Sequence, residues 1–337
     1  MKELQKSFII AATLGITLIL SACGQDEETK VTEEELKQTE TQNNSNEQQS
    51  SVDKAQSIAS HEFFEPFEGK VNHIHGVGYA GNQNAPFFAT HDGLKVYENG
   101  RWYKTKKENN DYMGFNATAN GFYSSGHPGA DSNFPDPFGI KKSIDNGQTL
   151  ENLTLEGEVD FHLMGVGYEN PTIFVMSPHN NSLMKANKFY VSEDDTESWN
   201  EVAAKGLVSE LLSVAVHPED GNYIAAVGQK GIYLSEDKGE NFKLITGRVQ
   251  GTSVFFTKDA LIYGTFDGNA SLIKRSLNDN SEKEIPLPEM EQDAVLYFAQ
   301  NPKNEKEMTF VSFNNNIYQT KDNAESWELL VENGKLM

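Results

Sequence analysis

Residues 235–242 read SEDKGENF, and the pattern comes back three times: SIDNGQTL from Ser143, SEDDTESW from Ser192 and TKDNAESW from Thr320. The common form is Ser/Thr-x-Asp-x-Gly-x-x-aromatic, and successive copies are separated by 49, 43 and 85 residues. The last interval is twice the others, so one copy is missing from the series. It is expected near Asn278, where SLNDNSEK from Ser276 keeps the serine but puts Asn278 and Asn280 in the Asp and Gly places. One interval ahead of Ser143 lies VYENGRWYK, whose Asn99-Gly100 pair is a strong signal for a two-residue hairpin turn. The chain therefore holds six units of one repeated supersecondary element.

Each unit contains four short runs of β character. The first passes through HIHGVGY, FFATH, LKVYE and RWYKT, and the fourth through ELLSVAVHP, YIAAVG, GIYLS and FKLI. Four strands recurring about every 40 to 50 residues predict an all-β fold, a β-propeller of six four-stranded blades. The Ser/Thr-x-Asp-x-Gly pattern resembles the Asp-box, the bacterial neuraminidase repeat of sialidase-like and sortilin-like propellers. The resemblance covers nearly all of residues 70–332. It implies that the carboxylate caps backbone N–H groups in a turn, that Gly supplies a positive φ, and that the aromatic packs between sheets. Asp145, Asp194, Asp237 and Asp322 are then structural. Leu150 departs from the pattern at the aromatic position, and Thr196 and Ala324 depart at the glycine.

The N-terminus sets the expected compartment. Lys2 and Lys6 precede an apolar run, Phe8–Leu20, that is too short to span a bilayer and suits a signal-peptide core. It ends in LSAC, which resembles the bacterial lipobox and makes Cys23, the one cysteine of the chain, the lipidation site. Residues 1–22 are read as a lipoprotein signal and 23–60 as the lipidated cysteine with an acidic tether poor in apolar residues. Residues 61–337 are read as the propeller domain. The expected location is the extracytoplasmic face of the cell membrane, held by acyl chains. The whole chain is also similar to Gram-positive lipoproteins labelled glycosyl hydrolase. That label follows the repeat and speaks for fold more than for reaction.

The formal net charge is −22. Such acidity argues against nucleic acid as a partner and suits attraction of cations. A monomer is expected.

Histidine is distributed unevenly. His73 and His75 sit in VNHIHGVGYA, at the start of the inner strand of blade 1, where period-two alternation points both to one side. His91 lies in the second loop of that blade, His127 in the long second loop of blade 2, His162 near the inner strand of blade 3, and His179 in its second loop. Six of the eight histidines thus map to one end of three consecutive blades. The matching segments of blades 4 to 6 (VSELL, GQKG, QGTS, FDGN, QDAV and FNNN) have none.

Imidazole is a common ligand for borderline metals. The candidate ligands are His73, His75, His127 and His162, with Met113 as a thioether that favours copper. His91, Asp92, Asp160 and His179 are possible additions, and copper or zinc is the expected ion. A hydrogen-bonded polar channel and metal-free catalysis are the alternatives.

Sialidase activity is argued against by residue content. Sialidases clamp the substrate carboxylate with three arginines, whereas this chain has only Arg101, Arg248 and Arg275, and neither Arg101, beside the outer hairpin of blade 1, nor Arg275, near the degraded fifth copy, is placed for a central anion clamp. Asp92, Asp131, Glu158, Asp160 and Asp267 leave a glycosidase or glycan-binding function open. A protein-interaction scaffold is the third possibility.

Overall fold

The computed structural model describes residues 56–207 and 210–337. The signal segment, Cys23 and residues 24–55 of the tether lie outside the described residues.

Six antiparallel sheets follow one another along the chain, each with its four blade strands in sequence order from the inside out. Blade 1 is Ile74–Tyr79, Pro86–Thr90, Gly93–Glu98 and Arg101–Thr105. Blade 2 is Asp111–Thr118, Gly121–His127, Ile140–Ser143 and Glu151–Thr154. Blade 3 is Met164–Val166, Ile173–Ser177, Lys188–Ser192 and Asn200–Val202. Blade 4 is Leu211–Val216, Ile224–Gly228, Gly231–Ser235 and Lys243–Leu244. Blade 5 is Gln250–Phe256, Ala260–Phe266, Ala270–Ser276 and Glu282–Glu284. Blade 6 is Val295–Asn301, Asn304–Ser312, Ile317–Thr320 and Glu328–Glu332. Each inner strand touches the next, and that of blade 6 touches that of blade 1. The fold is a six-bladed β-propeller.

The core is divided among the gaps between blades. Val191, Phe174 and Phe242 join blades 3 and 4, and Phe88, Trp102, Val311 and Leu330 join blades 1 and 6. Burying each such side chain contributes about 1.5–3 kcal/mol. The repeat aromatics serve these layers. Phe242 packs on Phe174 of the preceding blade, and Trp327 donates its indole N–H to Pro286 O at 2.8 Å while packing edge-on to Phe310. Leu150 fills the same role between blades 1 and 2.

The repeat turns share one hydrogen-bond pattern. Ser235 Oγ donates to Asp237 Oδ1 at 2.8 Å and accepts the Gly239 N–H at 2.9 Å. Asp237 then accepts the backbone and side-chain N–H groups of Asn241 at 2.8 and 2.7 Å. Thr149, Ser198 and Ser326 stand in for Asn241 in the other three turns. Two successive residues in each turn are left-handed, and the second has φ of 91° at Gly147, 77° at Thr196, 88° at Gly239 and 64° at Ala324. The two non-glycine residues adopt the same conformation at a cost of about 1 kcal/mol each. In the degraded fifth unit, Asp279 takes over and accepts the Ser281 N–H and hydroxyl within a tighter loop.

Neither edge blade borrows a strand from the other. Phe64–Pro66 pairs with the outer strand of blade 1, and Lys335–Leu336 folds back on the outer strand of blade 6. The seam is closed by Val71 N–H donating to Gly334 O at 2.9 Å, by Asn315 Nδ2 donating to Val71 O at 2.6 Å, and by Tyr79 Oη against Thr309 Oγ1 at 2.6 Å. The packed chain starts before residue 61. Ile58 is buried, and Glu98 accepts N–H groups from Ile58 and Ala59 and the Ser57 hydroxyl proton.

Candidate metal centre at the histidine face

Three strand or loop starts deliver the cluster. The inner strand of blade 1 begins at Ile74, not His73, and is bulged between Ile74 and Gly76. His73 precedes it with φ of 50°, so the simple alternation expected for the His73–His75 pair does not hold. Both rings nevertheless lie against His91, with centroids 4.9 Å away for His73 and 4.6 Å for His75.

The inner strand of blade 2 begins at Asp111, two residues before Met113, and Asp111 pairs across the sheet with His127. Blade 3 contributes Asp160 and His162. Between them, Phe161 is sunk in the core, and its N–H is held by Ser125 Oγ at 2.9 Å, so its two neighbours are presented outward.

His75, His91 and Asp111 form the tightest group. One nitrogen of each imidazole and one carboxylate oxygen lie within 4.8 Å of one another. His75 Nε2 is 3.5 Å from Asp111 Oδ1, and His91 Nδ1 is 3.2 Å from Asp111 Oδ2. Ligands around a tetrahedral ion with bonds near 2.1 Å are about 3.4 Å apart, so the spacing fits such an ion. Both His75 Nε2 and Asp111 Oδ1 are buried without a hydrogen-bond partner, an arrangement that costs about 1–3 kcal/mol per group and that a bound cation would relieve.

Burial lowers the His75 pKa to about 4, reinforced by His91, His162 and His73, so its lone pair is free at neutral pH. Burial also raises the Asp111 pKa, opposed by His91 and His127 and assisted by Asp160.

A second group adjoins it. His127 Nδ1 is 2.6 Å from Asp136 Oδ1, and its Nε2 is 3.0 Å from Asp160 Oδ2. His162 Nε2 reaches the same Asp160 oxygen at 2.9 Å. Burial works against charge on His127, but Asp136 and Asp160 outweigh it and raise its pKa.

Other candidates fall elsewhere. Asp92 accepts from the buried Lys95 ammonium at 3.0 Å, and that ammonium also caps Asp92 O at 2.8 Å. Asp92 therefore anchors the loop that carries His91 and contributes no oxygen to the tightest group. His179 is exposed, with Nε2 2.8 Å from Glu158 O. Met113 is buried beyond Asp111 on the same strand, opposite Ser125. Asp131 and Glu158 are engaged by Asn109 and Ser182.

At the opposite end His217 is fully occupied. Its Nδ1 accepts the N–H groups of Glu219 and Asp220, and its Nε2 donates to Lys258 O at 2.9 Å.

Asp111 and Asp136 were not among the sequence candidates. The signal for Asp111 was its offset. It stands two residues before Met113, as His73 stands before His75 and His162 before Met164. The face opens onto an axial cavity of about 360 Å³ bordered by all six inner strands, with His75 and His162 at its rim and Phe115, Val214, Phe255 and Tyr297 on its walls.

No family model and no curated protein matches the chain. Solved structures do. The GH74 enzyme of Niastella koreensis is 15% identical with a TM-score of 0.51, covering 80% of this chain and 47% of its own. An ancestral GH74 enzyme is 13% identical with a TM-score of 0.49, covering 81% and 40%. YCF48 from Cyanidioschyzon merolae is 11% identical with a TM-score of 0.47, covering 81% and 89%. The chain spans under half the length of the GH74 enzymes it matches. The likeness to the Niastella koreensis enzyme is one of fold, the β-propeller.

Proposed function

We propose that the protein is a lipid-anchored, extracytoplasmic propeller that binds a transition-metal ion, copper or zinc, through His75, His91 and Asp111. The observation that carries this reading is the pair of buried, unpartnered atoms His75 Nε2 and Asp111 Oδ1, facing each other 3.5 Å apart. Two imidazoles and one carboxylate suit zinc and copper, and three protein ligands leave a position open for exchange. Such a site fits metal handling or delivery to another surface protein. The signal core and Cys23 support the anchor.

Metal analysis of the purified full-length protein after loading with zinc or copper tests the reading. Near-stoichiometric ion, lost in His75→Ala/His91→Ala with the fold retained by circular dichroism, is expected. Ion content near zero in the wild type, or unchanged in the double variant, overturns it.

A glycan-directed reading has one observation of its own. Asp111 is held protonated to higher pH than a free carboxyl, with Asp160 close enough to contribute to that rise. A raised acid beside a second carboxylate is the equipment of a glycosidase. A glycoside panel and a glycan array that show no turnover and no binding would remove it.

A further inference from the structure

We propose that the axial cavity receives the organic part of what the metal site binds: a small molecule with an anionic metal-binding head and a compact aromatic body. The head rests on the metal reading above, and the body rests on the cavity alone.

One local device presents different side chains at the same mouth. The inner strand of blade 1 is bulged between Ile74 and Gly76, which makes His75 the extra residue. That of blade 4 is bulged between Leu211 and Ser213, at Leu212, and that of blade 6 between Val295 and Tyr297, at Leu296. A bulge leaves its extra residue out of the ladder and re-aims its side chain. His75, Leu212 and Leu296 all border the cavity. An imidazole thus stands on the blade 1 side of the axis, and hydrocarbon stands on the side of blades 4 and 6.

The hydrocarbon is not closed off. Leu212 is 42% exposed, and Val77, Phe255, Leu296 and Tyr297 are only half-buried although they lie on inner strands. Open apolar surface gathered in one concave site is the mark of a ligand pocket. A volume of about 360 Å³ lies near the lower end of the roughly 300–1,000 Å³ of small-molecule pockets, which limits the body to one or two fused rings.

The wall also selects against a sugar. Asn116 gives its amide N–H groups to Gly114 O and Met164 O, both at 3.0 Å, and its oxygen accepts the Val166 N–H at 3.2 Å. Buried hydroxyls would go unmatched beside it, whereas an aromatic ring needs no partner. Tyr297 keeps a proton to offer, since burial raises its pKa to about 12 and its hydroxyl has no hydrogen-bond partner among the described residues. The far end of the cavity carries Glu169, Glu305 and the Glu219–Lys258 pair at 2.7 Å, a negative balance that disfavours a second anionic group on the body.

Two probes on the full-length protein test the two parts separately. Indole, which lacks a metal-binding head, is followed by ligand-observed NMR on metal-free protein. Acetohydroxamate and benzohydroxamate are compared by calorimetry on zinc-loaded protein. Indole is expected to bind, and benzohydroxamate is expected to bind about 10–100-fold more tightly than acetohydroxamate, from the area its ring buries. Leu212→Asn/Leu296→Asn is expected to weaken indole and to erase most of the benzohydroxamate advantage, with acetohydroxamate unchanged. Leu212→Trp, a substitution at an exposed side chain, is expected to obstruct the mouth and act the same way.

No indole binding, or indole binding that neither variant alters, overturns the pocket whatever the metal does. Equal affinity for the two hydroxamates on a zinc-loaded wild type overturns the proposal and leaves the metal reading. Indole bound by a wild type that takes up no zinc upholds the pocket and overturns the metal reading with the head.

Discussion

The two ends of the ring use the same side chain in opposite ways. At the repeat-turn end, Asp145, Asp194, Asp237 and Asp322 have both oxygens taken by N–H and O–H groups of their own turns. Those bonds pull the Asp322 pKa down to about 2. At the histidine end, Asp111 and Asp160 each keep an oxygen buried and without a partner, and burial pushes Asp111 up. A carboxylate whose lone pairs are satisfied by the chain is part of the scaffold. One left unsatisfied in a cluster of imidazoles is available to something else.

The largest way to probe this contrast in stability is at the built end. The Cβ of Gly239→Ala would come within 2.8 Å of Phe174 Cε2, at a residue with φ of 88°. Left-handed strain and overpacking together cost about 2–3 kcal/mol, a fall in melting temperature of roughly 5–10 °C for a chain of this size. His91→Ala at the other end should stay within about 0.5 kcal/mol of the wild type, as for most exposed side chains. Equal effects in a thermal scan would break the comparison.

A finer probe changes one atom at each end. Asp237→Asn weakens charge-assisted bonds in the turn and should lower stability by about 1 kcal/mol. Asp111→Asn removes a buried, incompletely solvated charge and should leave stability unchanged or raise it, while abolishing ion binding at His75 and His91. Chemical denaturation of the two variants, with ion analysis alongside, decides it. A marked loss of stability in Asp111→Asn would show that its carboxylate is structural after all.

The smallest effect is expected in acid. The folded pKa values of Asp322 and Asp279 are both lowered to about 2, chiefly by hydroxyl and backbone bonds from Ser326 and Ser281. Their contribution is present above the unfolded carboxylate value and is lost as pH falls from about 4 to about 2. Asp111, shifted upward, has the opposite sign and favours the folded state as pH falls. Melting temperature followed against pH should lose part of its slope below pH 4 in Asp322→Asn. An unchanged slope would show that the turn carboxylates do not set it.

The same contrast explains what could be read from the chain. The turns are local, with Ser or Thr and Asp fixed within eight residues and Gly and the aromatic mostly kept, so the four recognisable copies set the ring, and even the degraded copy keeps Ser276 at the end of its strand. The histidine face joins residues from three blades that no short pattern links. Its histidines stood out because the type is rare and all fell at one end, but Asp111 and Asp136 belong to a type found throughout an acidic chain. Asp111 was hidden further because its strand begins two residues earlier than MGF suggests. The pairing of Asp92 with Lys95, a charged residue buried inside the GLKVYE strand, is likewise invisible to any local pattern.

The seam between blades 6 and 1 has a consequence for how the molecule is made. Every blade is one uninterrupted stretch, and the bonds that shut the ring run from Val71 and Tyr79 to Thr309, Asn315 and Gly334. A chain synthesised from its N-terminus therefore presents every residue of the histidine face as an open half-ring. The last three blades, which add none of those residues, arrive afterwards and join it as a lid joins a vessel already shaped.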